Sequence, residues 1–469
     1  MLTKLQTKLI QWILEPLYRV KKHIPESVWR AVISFATFGI ILIQFLNATG
    51  KLTRYLYAYI PFCLFLGLII LAGLSDRMKP VSFSPVLLVS WGGVTVCMLI
   101  SGILVDSNVL ADTLLWLVAF PVFFLVWGNR NFTDLVKPII NGIYLSFALF
   151  FLISIRSYPL NGTYYYSFFM NLNGLAMYMT AVSVAAITDI FSQEKFSARM
   201  LLADVILGAS AAVAYYSASR ASQVVLLISG CVGAVVFLIA KKETMGKKVL
   251  CYLLPAVLSL AILLPNTAVV INGANKAVVK FEKTWIKEEQ KTPENPANPG
   301  NNQQIADKNT WEAIQSYNEE RRKQGEGQDF DAFSTGRLDL WKTYLKEVGL
   351  LGNPASKVLT DANGKEIQKS AHNTLIQMAY EFGILAAVCF LIFNVVSGLK
   401  AVRLAYQKRL MDYSIFPVVV ALAYGAYYLV EKILYPATSL LLLLYLISQA
   451  AVFPKEMDSK AIEDMKAKQ

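Results

Sequence analysis

The chain has 469 residues, of which 55% are hydrophobic and only 16% are charged. A typical soluble domain has about 25% charged residues, so this composition argues against a soluble protein. The net charge of +12 comes from basic residues spread through loops and tails. Because they are not gathered on one polar face, nucleic acid is not an expected partner. The composition therefore favours a membrane protein with a mean hydropathy of +0.47.

The cysteine and histidine content narrows the chemistry further. All five cysteines lie inside apolar runs and no CxxC pair is present, which favours buried core thiols over disulfides or a zinc site. The chain has two histidines in total, so a histidine-based zinc site is not expected either. The sequence therefore predicts neither a metal site nor another cofactor.

Residues 1–27 predict an amphipathic helix that lies on the cytoplasmic membrane surface. The apolar positions recur at helical spacing with lysines between them, at Leu5, Leu9, Trp12 and Ile13. No small-residue cleavage site follows, so we expect a surface helix and not a signal peptide.

Runs of about 20 apolar residues follow, each long enough to cross a ~30 Å hydrocarbon core as a helix. Irregular backbone cannot face lipid, so helices packed in a bundle are expected. We predict an all-α polytopic membrane protein with about 12 transmembrane helices, nine within 28–268 and three within 374–453. The predicted spans are 28–47, 55–74, 84–105, 108–128, 135–156, 172–190, 199–218, 221–240, 248–268, 374–399, 413–431 and 434–453.

The basic residues of the short connections orient this bundle in the cytoplasmic, or inner, membrane. With a cytoplasmic N-terminus, ten of them lie on the inner side: Arg77, Lys79, Arg130, Lys195, Lys241, Lys242, Lys247, Arg403, Lys408 and Arg409. Four lie on the outer side: Lys51, Arg54, Arg220 and Lys432. This positive-inside bias predicts that both termini are cytoplasmic, including a short tail at 454–469.

Residues 269–373 form one long polar segment, which this orientation places on the outer face. Within it, 291–304 is a Pro/Asn-rich linker. The stretch FSTGRLDLWKTYLKEVGLLG predicts an amphipathic helix with one apolar face, made of Leu338, Trp341, Tyr344, Leu345 and Val348. A loop this long, with helices of its own, is more often functional than a passive connector.

Two arginines on the predicted outer side are candidate anion-binding residues. Arg220 lies in the turn SASRAS, whose small residues leave room for a bulky anion; the alternative is an arginine that reaches the lipid headgroups. Arg337 follows STG in the first turn of the loop helix, where a cation opposes the helix dipole. A helix N-terminus, a glycine and an arginine together bind phosphate, whereas the alternative is a solvated surface arginine.

His372 is the candidate proton acceptor. It follows Ser370, a candidate N-cap of the tenth span, and the positive end of that helix favours a neutral imidazole at pH 7. A neutral imidazole suits a general base, and the alternative is a capping or interface histidine. Glu381 lies within the same span, where a charge costs roughly 2.5–3.5 kcal/mol, so it is either a partner of this site or neutral.

These residues lie in motifs that resemble the O-antigen ligase and O-antigen polymerase family of bacterial membrane glycosyltransferases. Four segments carry the resemblance: Ser219-Arg220, STGRLDLW (334–341), AHNTLIQ (371–377) and MNLNGLA (170–176). The motifs are short, but they keep the family's order over roughly 165–400. The stretch GLLGNPASK (349–357) departs from the glycine-richer turn of the family.

The resemblance implies transfer of a glycan from a polyprenyl (undecaprenyl) diphosphate carrier to an acceptor hydroxyl, outside the cytoplasmic membrane and without metal. Arg220 and Arg337 would engage the diphosphate, and His372 would activate the acceptor with inversion at the anomeric carbon. Four further residues of these motifs are expected to bind substrate: Asn173, Ser219, Trp341 and Asn373. The expected partners are the lipid-linked donor, a glycan or lipid acceptor, the bilayer and other polysaccharide assembly proteins.

Several functions stay open on the sequence alone. A ligase passes the finished glycan to a different acceptor, such as lipid A-core or a cell-wall acceptor, whereas a polymerase passes it to another lipid-linked repeat unit. The chain could also be a transporter or flippase of the lipid-linked oligosaccharide, or a scaffold in an assembly complex. Transport is disfavoured because the two halves show no convincing similarity and the candidates lie on one face, away from the midplane.

Overall fold

The structure is a computed structural model that describes residues 2–49, 55–76, 78–160, 165–169, 171–193, 195–240, 249–285, 337–354, 357–360, 366, 370–408 and 413–454. In these ranges the regular structure is helical, apart from isolated β-bridges. The predicted linker 291–304 and nearly all of the predicted tail 454–469 lie outside the described residues. The expectation of an all-α, multi-pass membrane protein is confirmed, because nine of the described helices are long and apolar enough to cross a membrane.

The helices run in chain order as follows. The first nine are α1 (Leu2–Leu9), α2 (Glu15–Lys21), α3 (Glu26–Ala48), α4 (Tyr55–Gly73), α5 (Pro85–Leu104), α6 (Leu110–Leu114), α7 (Phe120–Trp127), α8 (Thr133–Ser157) and α9 (Leu172–Ser192). The others are α10 (Ala198–Tyr216), α11 (Arg220–Ala240), α12 (Leu254–Trp285), α13 (Arg337–Lys346), α14 (Thr374–Phe382), α15 (Ile384–Gln407), α16 (Phe416–Tyr428) and α17 (Leu440–Val452). Helices α6 and α7 belong to one membrane-length run, Ser107–Trp127. Three predicted spans correspond to the shorter apolar helices α4, α16 and α17, so the number of crossings stays a prediction.

Helix α9 lies at the centre of the bundle. Its apolar window is 89% buried inside the protein, against 28% for α11 and 22% for α12, and it contacts α8, α10, α11, α16 and α17. Small residues such as Ala181, Ala185 and Ala186 are fully buried along it. Small side chains let neighbouring helices approach closely, which explains how one helix packs against so many others.

The predicted tenth span, 374–399, is wrong as a single helix, because it divides into α14 and α15 at Gly383. That glycine has φ 89° and ψ 161°, a backbone conformation that residues with a Cβ rarely adopt. A Cβ at this position would also collide with the carbonyl of Leu350, whose segment packs against the break. His372 therefore precedes a separate nine-residue helix instead of opening a membrane-length one.

Helix α12 continues to Trp285, well beyond residue 268, where the predicted ninth span ends. The apolar pattern does not stop there, since Ile271 is fully buried against the bundle. Asn272 fixes the extension, because its side chain accepts from the N–H of Leu160 (2.8 Å) and donates to the same residue's carbonyl (2.9 Å). The segment predicted as a polar loop from 269 therefore begins as helix.

The predicted N-terminal helix is present, and it also packs against the bundle through residues other than the predicted apolar positions. Ile10 and Leu14 are buried in the core, at 3% and 2% exposure. Three of the residues predicted to form the apolar face remain at the surface: Leu5 (63% exposed), Trp12 (78%) and Ile13 (52%). The helix therefore has two apolar faces, one for the bundle and one that is suited to lipid.

The loop helix α13 packs through fewer residues than the sequence predicts. Tyr344 is buried and lies edge-on against Tyr380 of α14, with ring centroids 4.8 Å apart. Leu345, which was assigned to the same face, is 51% exposed, and the helix ends before Val348. The aromatic pair belongs to a small hydrophobic cluster in which Leu340 of α13 and Ile376 of α14 also pack.

We expect Gly383→Ala to destabilise the protein by about 1–3 kcal/mol, because it forces a residue with a Cβ into a left-handed conformation and against a carbonyl. The thermal unfolding midpoint in detergent measures the effect. Gly398→Ala is the matched control in α15, since a Cβ there has no other atom within 4 Å and alanine is the better helix former. Equal midpoints for the two variants would contradict this account of the break.

Candidate functional site

Four of the residues predicted from the sequence meet around the carboxylate of Glu431. His372 Nδ1 lies 2.9 Å from Glu431 Oε2, and Arg337 Nη2 lies 3.4 Å from Oε1. Asn173 Nδ2 donates to Oε1 (2.5 Å), and Ser219 Oγ donates to Asn173 Oδ1 (3.1 Å). These five residues, which come from distant parts of the chain, are called the Glu431 cluster below.

Three helices begin at the Glu431 cluster, and the described part of α13 starts there with Arg337. Asn173 lies in the first turn of α9, Ser219 immediately precedes α11, and His372 stands just before α14. The first turn of a helix presents backbone N–H groups and the positive end of its dipole, so three such ends at one place favour an anionic ligand.

Two turns at the cluster contain a residue in the left-handed region of backbone conformation. Ala218, next to Ser219, has φ 54°, and His372 has φ 46°. Such conformations cost of order 1–3 kcal/mol and persist where the surrounding structure imposes them, often at functional sites. Part of that constraint on His372 is visible, because the backbone N–H of His372 donates a hydrogen bond to Ser370 Oγ (3.2 Å).

The turn that carries Glu431 is bound directly to the start of α14. Thr374 Oγ1 donates to the backbone carbonyl of Glu431 (2.7 Å) and accepts from the N–H of Ile433 (2.8 Å). Thr374 is fully buried, so these hydrogen bonds are shielded from water. The backbone of Glu431 is therefore fixed to the helix that follows His372.

Asn373, predicted to bind substrate, is the N-cap of α14, a role the sequence assigned to Ser370. Its Oδ1 accepts from the N–H of Ile376 (3.1 Å), and its Nδ2 donates to the carbonyl of Leu429 (3.0 Å). The side chain is buried, and both ends of its amide are engaged within the protein. Asn373 therefore connects α14 to the end of α16.

Trp341, also predicted to bind substrate, contacts the backbone next to His372. Its indole N–H donates to the carbonyl of Ala371 (2.8 Å). Because Trp341 lies on α13, this hydrogen bond places the loop helix beside the segment that carries His372. The ring is half-buried. Trp341 therefore has a positioning role, because it holds α13 beside His372.

Arg220 is the first residue of α11 and directly follows Ser219 of the cluster. Its side chain is half-exposed. The SASRAS turn therefore contributes Ser219 to the hydrogen-bond network, and Arg220 adjoins that residue in the chain. Of the two predicted arginines, Arg337 contacts the carboxylate of Glu431, to which the imidazole of His372 is also hydrogen-bonded.

The contact with Glu431 determines which nitrogen of His372 is the base. An ionised carboxylate only accepts hydrogen bonds, so Nδ1 carries the proton and donates to Glu431. The lone pair is then on Nε2, as in sites where a carboxylate orients a catalytic imidazole. Among the residues that the structure describes, no three His, Cys, Asp or Glu side chains are grouped as metal ligands.

Glu431 is the functional candidate that the sequence analysis missed. It ends the predicted eleventh span, 413–431, in the stretch LVEKIL, where a single acidic residue resembles any charge at the border of a membrane helix. The signal present in the sequence is an acidic residue at the end of an apolar span, since acidic residues at such positions are frequently functional.

The comparisons with known proteins assign no family: no protein-family model matches the chain, and no curated protein matches it. The class that the fold defines is an all-α membrane protein with multiple apolar helices of spanning length. The function is therefore argued below from the Glu431 cluster.

We expect Asn373→Ala to lower stability by about 0.5–2 kcal/mol, because α14 loses its N-cap. Asn373→Ser keeps a capping oxygen but loses the bond to Leu429, so its thermal midpoint should lie between wild type and the alanine variant. Thermal unfolding in detergent checks this order. A wild-type midpoint for Asn373→Ala would count against the capping role.

Proposed function

We propose that the protein is a glycosyltransferase that moves a glycan from a polyprenyl (undecaprenyl) diphosphate carrier onto an acceptor hydroxyl. The proposal includes twelve membrane crossings, cytoplasmic termini and a site on the outer face of the cytoplasmic membrane. The observation that carries it is the meeting of Asn173, Ser219, Arg337 and His372 at one carboxylate. These residues belong to the four separate segments that resemble the O-antigen ligase and polymerase family.

Charge and backbone geometry at the cluster support an anionic donor. The Arg337 guanidinium and the N-termini of α9, α11 and α14 lie at the Glu431 cluster, and Arg220 directly follows Ser219 in the chain, so the surroundings favour added negative charge. A diphosphate suits such a site, because arginine binds phosphate oxygens through parallel N–H donors. The contact between Arg337 and Glu431 uses one guanidinium nitrogen, and a guanidinium carries five N–H donors.

The proposed reaction exchanges one bond at the anomeric carbon for another. The acceptor oxygen bonds to that carbon while the bond to the phosphate oxygen breaks, and the electron pair leaves with the polyprenyl diphosphate. Arg220 and Arg337 stabilise the charge of this leaving group. The hydroxyl proton passes to Nε2 of His372, and Glu431 stabilises the resulting imidazolium. Attack from the side opposite the leaving group inverts the anomeric centre.

We expect His372→Ala to lower the transfer rate by about 10²–10⁴-fold, because a positioned general base contributes that much. Glu431→Gln keeps the side-chain shape but removes the charge that orients and stabilises the imidazolium, so it should cause a smaller loss. Product formation on a defined lipid-linked donor measures both.

The control for His372→Ala is His23→Ala, which removes the other histidine of the chain at an exposed position of the N-terminal region. It should leave the rate unchanged. A wild-type rate for His372→Ala would exclude the proposed base.

Arg337→Lys should weaken donor binding although it keeps the positive charge, because lysine cannot form paired N–H bonds to phosphate oxygens. Loss of one charge-assisted bond of about 1.5–3 kcal/mol corresponds to a roughly 10- to 100-fold higher Kd. Titration of the purified protein with polyprenyl diphosphate glycan measures it. Lys342→Arg, the reverse exchange at an exposed position of the same helix, should bind normally. Full donor affinity in Arg337→Lys would count against the assigned role.

The acceptor distinguishes the two functions that share this chemistry, ligase and polymerase. With a lipid-linked repeat unit as sole substrate, a polymerase forms a ladder of longer lipid-linked products, whereas a ligase leaves the repeat unchanged. A ligase requires addition of a different hydroxyl-bearing acceptor. Absence of transfer under both conditions would contradict the enzyme proposal itself.

A further inference from the structure

A second polar group lies beside the Glu431 cluster and is organised around Glu381. The carboxylate of Glu381 is 2% exposed and accepts three hydrogen bonds. Lys432 Nζ lies 2.5 Å and Gln377 Nε2 lies 2.8 Å from Oε1, and Tyr435 OH lies 2.6 Å from Oε2. The charge of Glu381, which the sequence left without an assigned partner, is therefore paired and fully hydrogen-bonded.

Both ends of this group are connected to the pair formed by His372 and Glu431. Lys432 directly follows Glu431 in the chain. Gln377 Oε1 accepts from the backbone N–H of Ala371, the residue directly before His372 (2.7 Å). The carboxylate of Glu381 thus holds Ala371, the residue before His372, through the side chain of Gln377. It also holds Lys432, the residue after Glu431, directly.

We propose that Gln377, Glu381 and Lys432 form a positioning clamp that sets the relative placement of His372 and Glu431. The catalytic part of this inference rests on the proposed function, whereas the geometric part does not. The three residues act through their neighbours and are positioning residues that do not touch substrate.

The clamp is anchored to two other helices, α5 and α13. Ser101 of α5 donates to the backbone carbonyl of Glu381 (2.8 Å), and the carbonyl of Ala371 accepts from Trp341. Both backbone groups of Ala371 are therefore occupied, its N–H by Gln377 and its carbonyl by Trp341. This leaves the segment before His372 little freedom to shift.

A purely stabilising role explains this arrangement less well. An ion pair with a buried member adds little net stability over apolar residues of the same size, because the buried charge loses its hydration. Glu381 is buried and Lys432 is 23% exposed, and their contact instead gives a fixed direction and distance. Catalytic groups need placement within about 0.5 Å, and a 1 Å error far from the chemistry can cost about 10²-fold.

The test uses the fact that the chain contains only two histidines. In a His23→Gln background, ring ¹⁵N labelling leaves His372 as the single imidazole signal, and its two nitrogens report the tautomer and the hydrogen bond to Glu431. Glu381→Gln removes the charge of the clamp without changing its shape. We expect shifted His372 nitrogen signals, a kcat lowered by about 10- to 100-fold and a donor Kd within about threefold of wild type.

The matched control is Glu347→Gln. It breaks an ion pair of similar length, between Glu347 and Lys357 (2.7 Å), at an exposed position directly after α13. It should leave the signals, the kcat and the Kd at wild-type values. Tyr435→Phe removes the hydrogen bond to Oε2 of Glu381 and keeps the ring, and it serves if Glu381→Gln does not fold. It should shift the same signals by a smaller amount.

Unchanged His372 signals in a folded Glu381→Gln or Tyr435→Phe protein would overturn the clamp, whatever the activity. Shifted signals with a lowered kcat and an unaltered Kd would support it. If the wild-type protein transfers no glycan, the proposed function fails, and the ¹⁵N signals still decide whether the clamp sets the geometry of His372.

Discussion

The carboxylate of Glu431 receives hydrogen bonds from an imidazole, a guanidinium and an amide, and this shared acceptor holds the candidate site together. Its partners come from distant parts of the chain, and Asn173 is separated from it by 258 residues. A buried or half-buried carboxylate requires donors, since an unsatisfied charge in low dielectric is costly. That requirement draws the ends of several helices to one point. The partners in turn acquire fixed orientations, including the Nδ1-protonated form of His372.

The bundle supplies two kinds of support for this site. Helix α9, the most buried of the membrane-length helices, provides the half-buried Asn173 from its first turn. Helix α14 is also part of the core, in which Met378, Ala379 and Phe382 are buried. The loop helix α13 is bound to α14 by individual contacts, such as Tyr344 against Tyr380. Close packing therefore fixes α9 and α14, and specific polar and aromatic contacts fix α13. The Glu381 group adds hydrogen bonds on the side that α14 provides.

The sequence predicted the apolar helices well because hydrophobic length is a strong and local signal. It also selected Asn173, Arg337 and His372, because their motifs are contiguous. The break at Gly383 was not predictable, since it depends on contact with Leu350 across the fold. Glu431 was not predicted as a site residue for a related reason. Its importance depends on which residues surround it in the fold, and the hydropathy of the sequence does not show that. The capping role of Asn373 was assigned one helical turn too early in the chain, to Ser370.

The anchoring of α13 has a consequence for where substitutions can disturb the site. Arg337 owes its position to contacts made by α13 itself, through Trp341 to the carbonyl of Ala371 and through Tyr344 to the ring of Tyr380. Those two aromatic side chains do not touch the carboxylate of Glu431. A smaller residue at either position would therefore release the guanidinium from the carboxylate without altering a single group of the cluster.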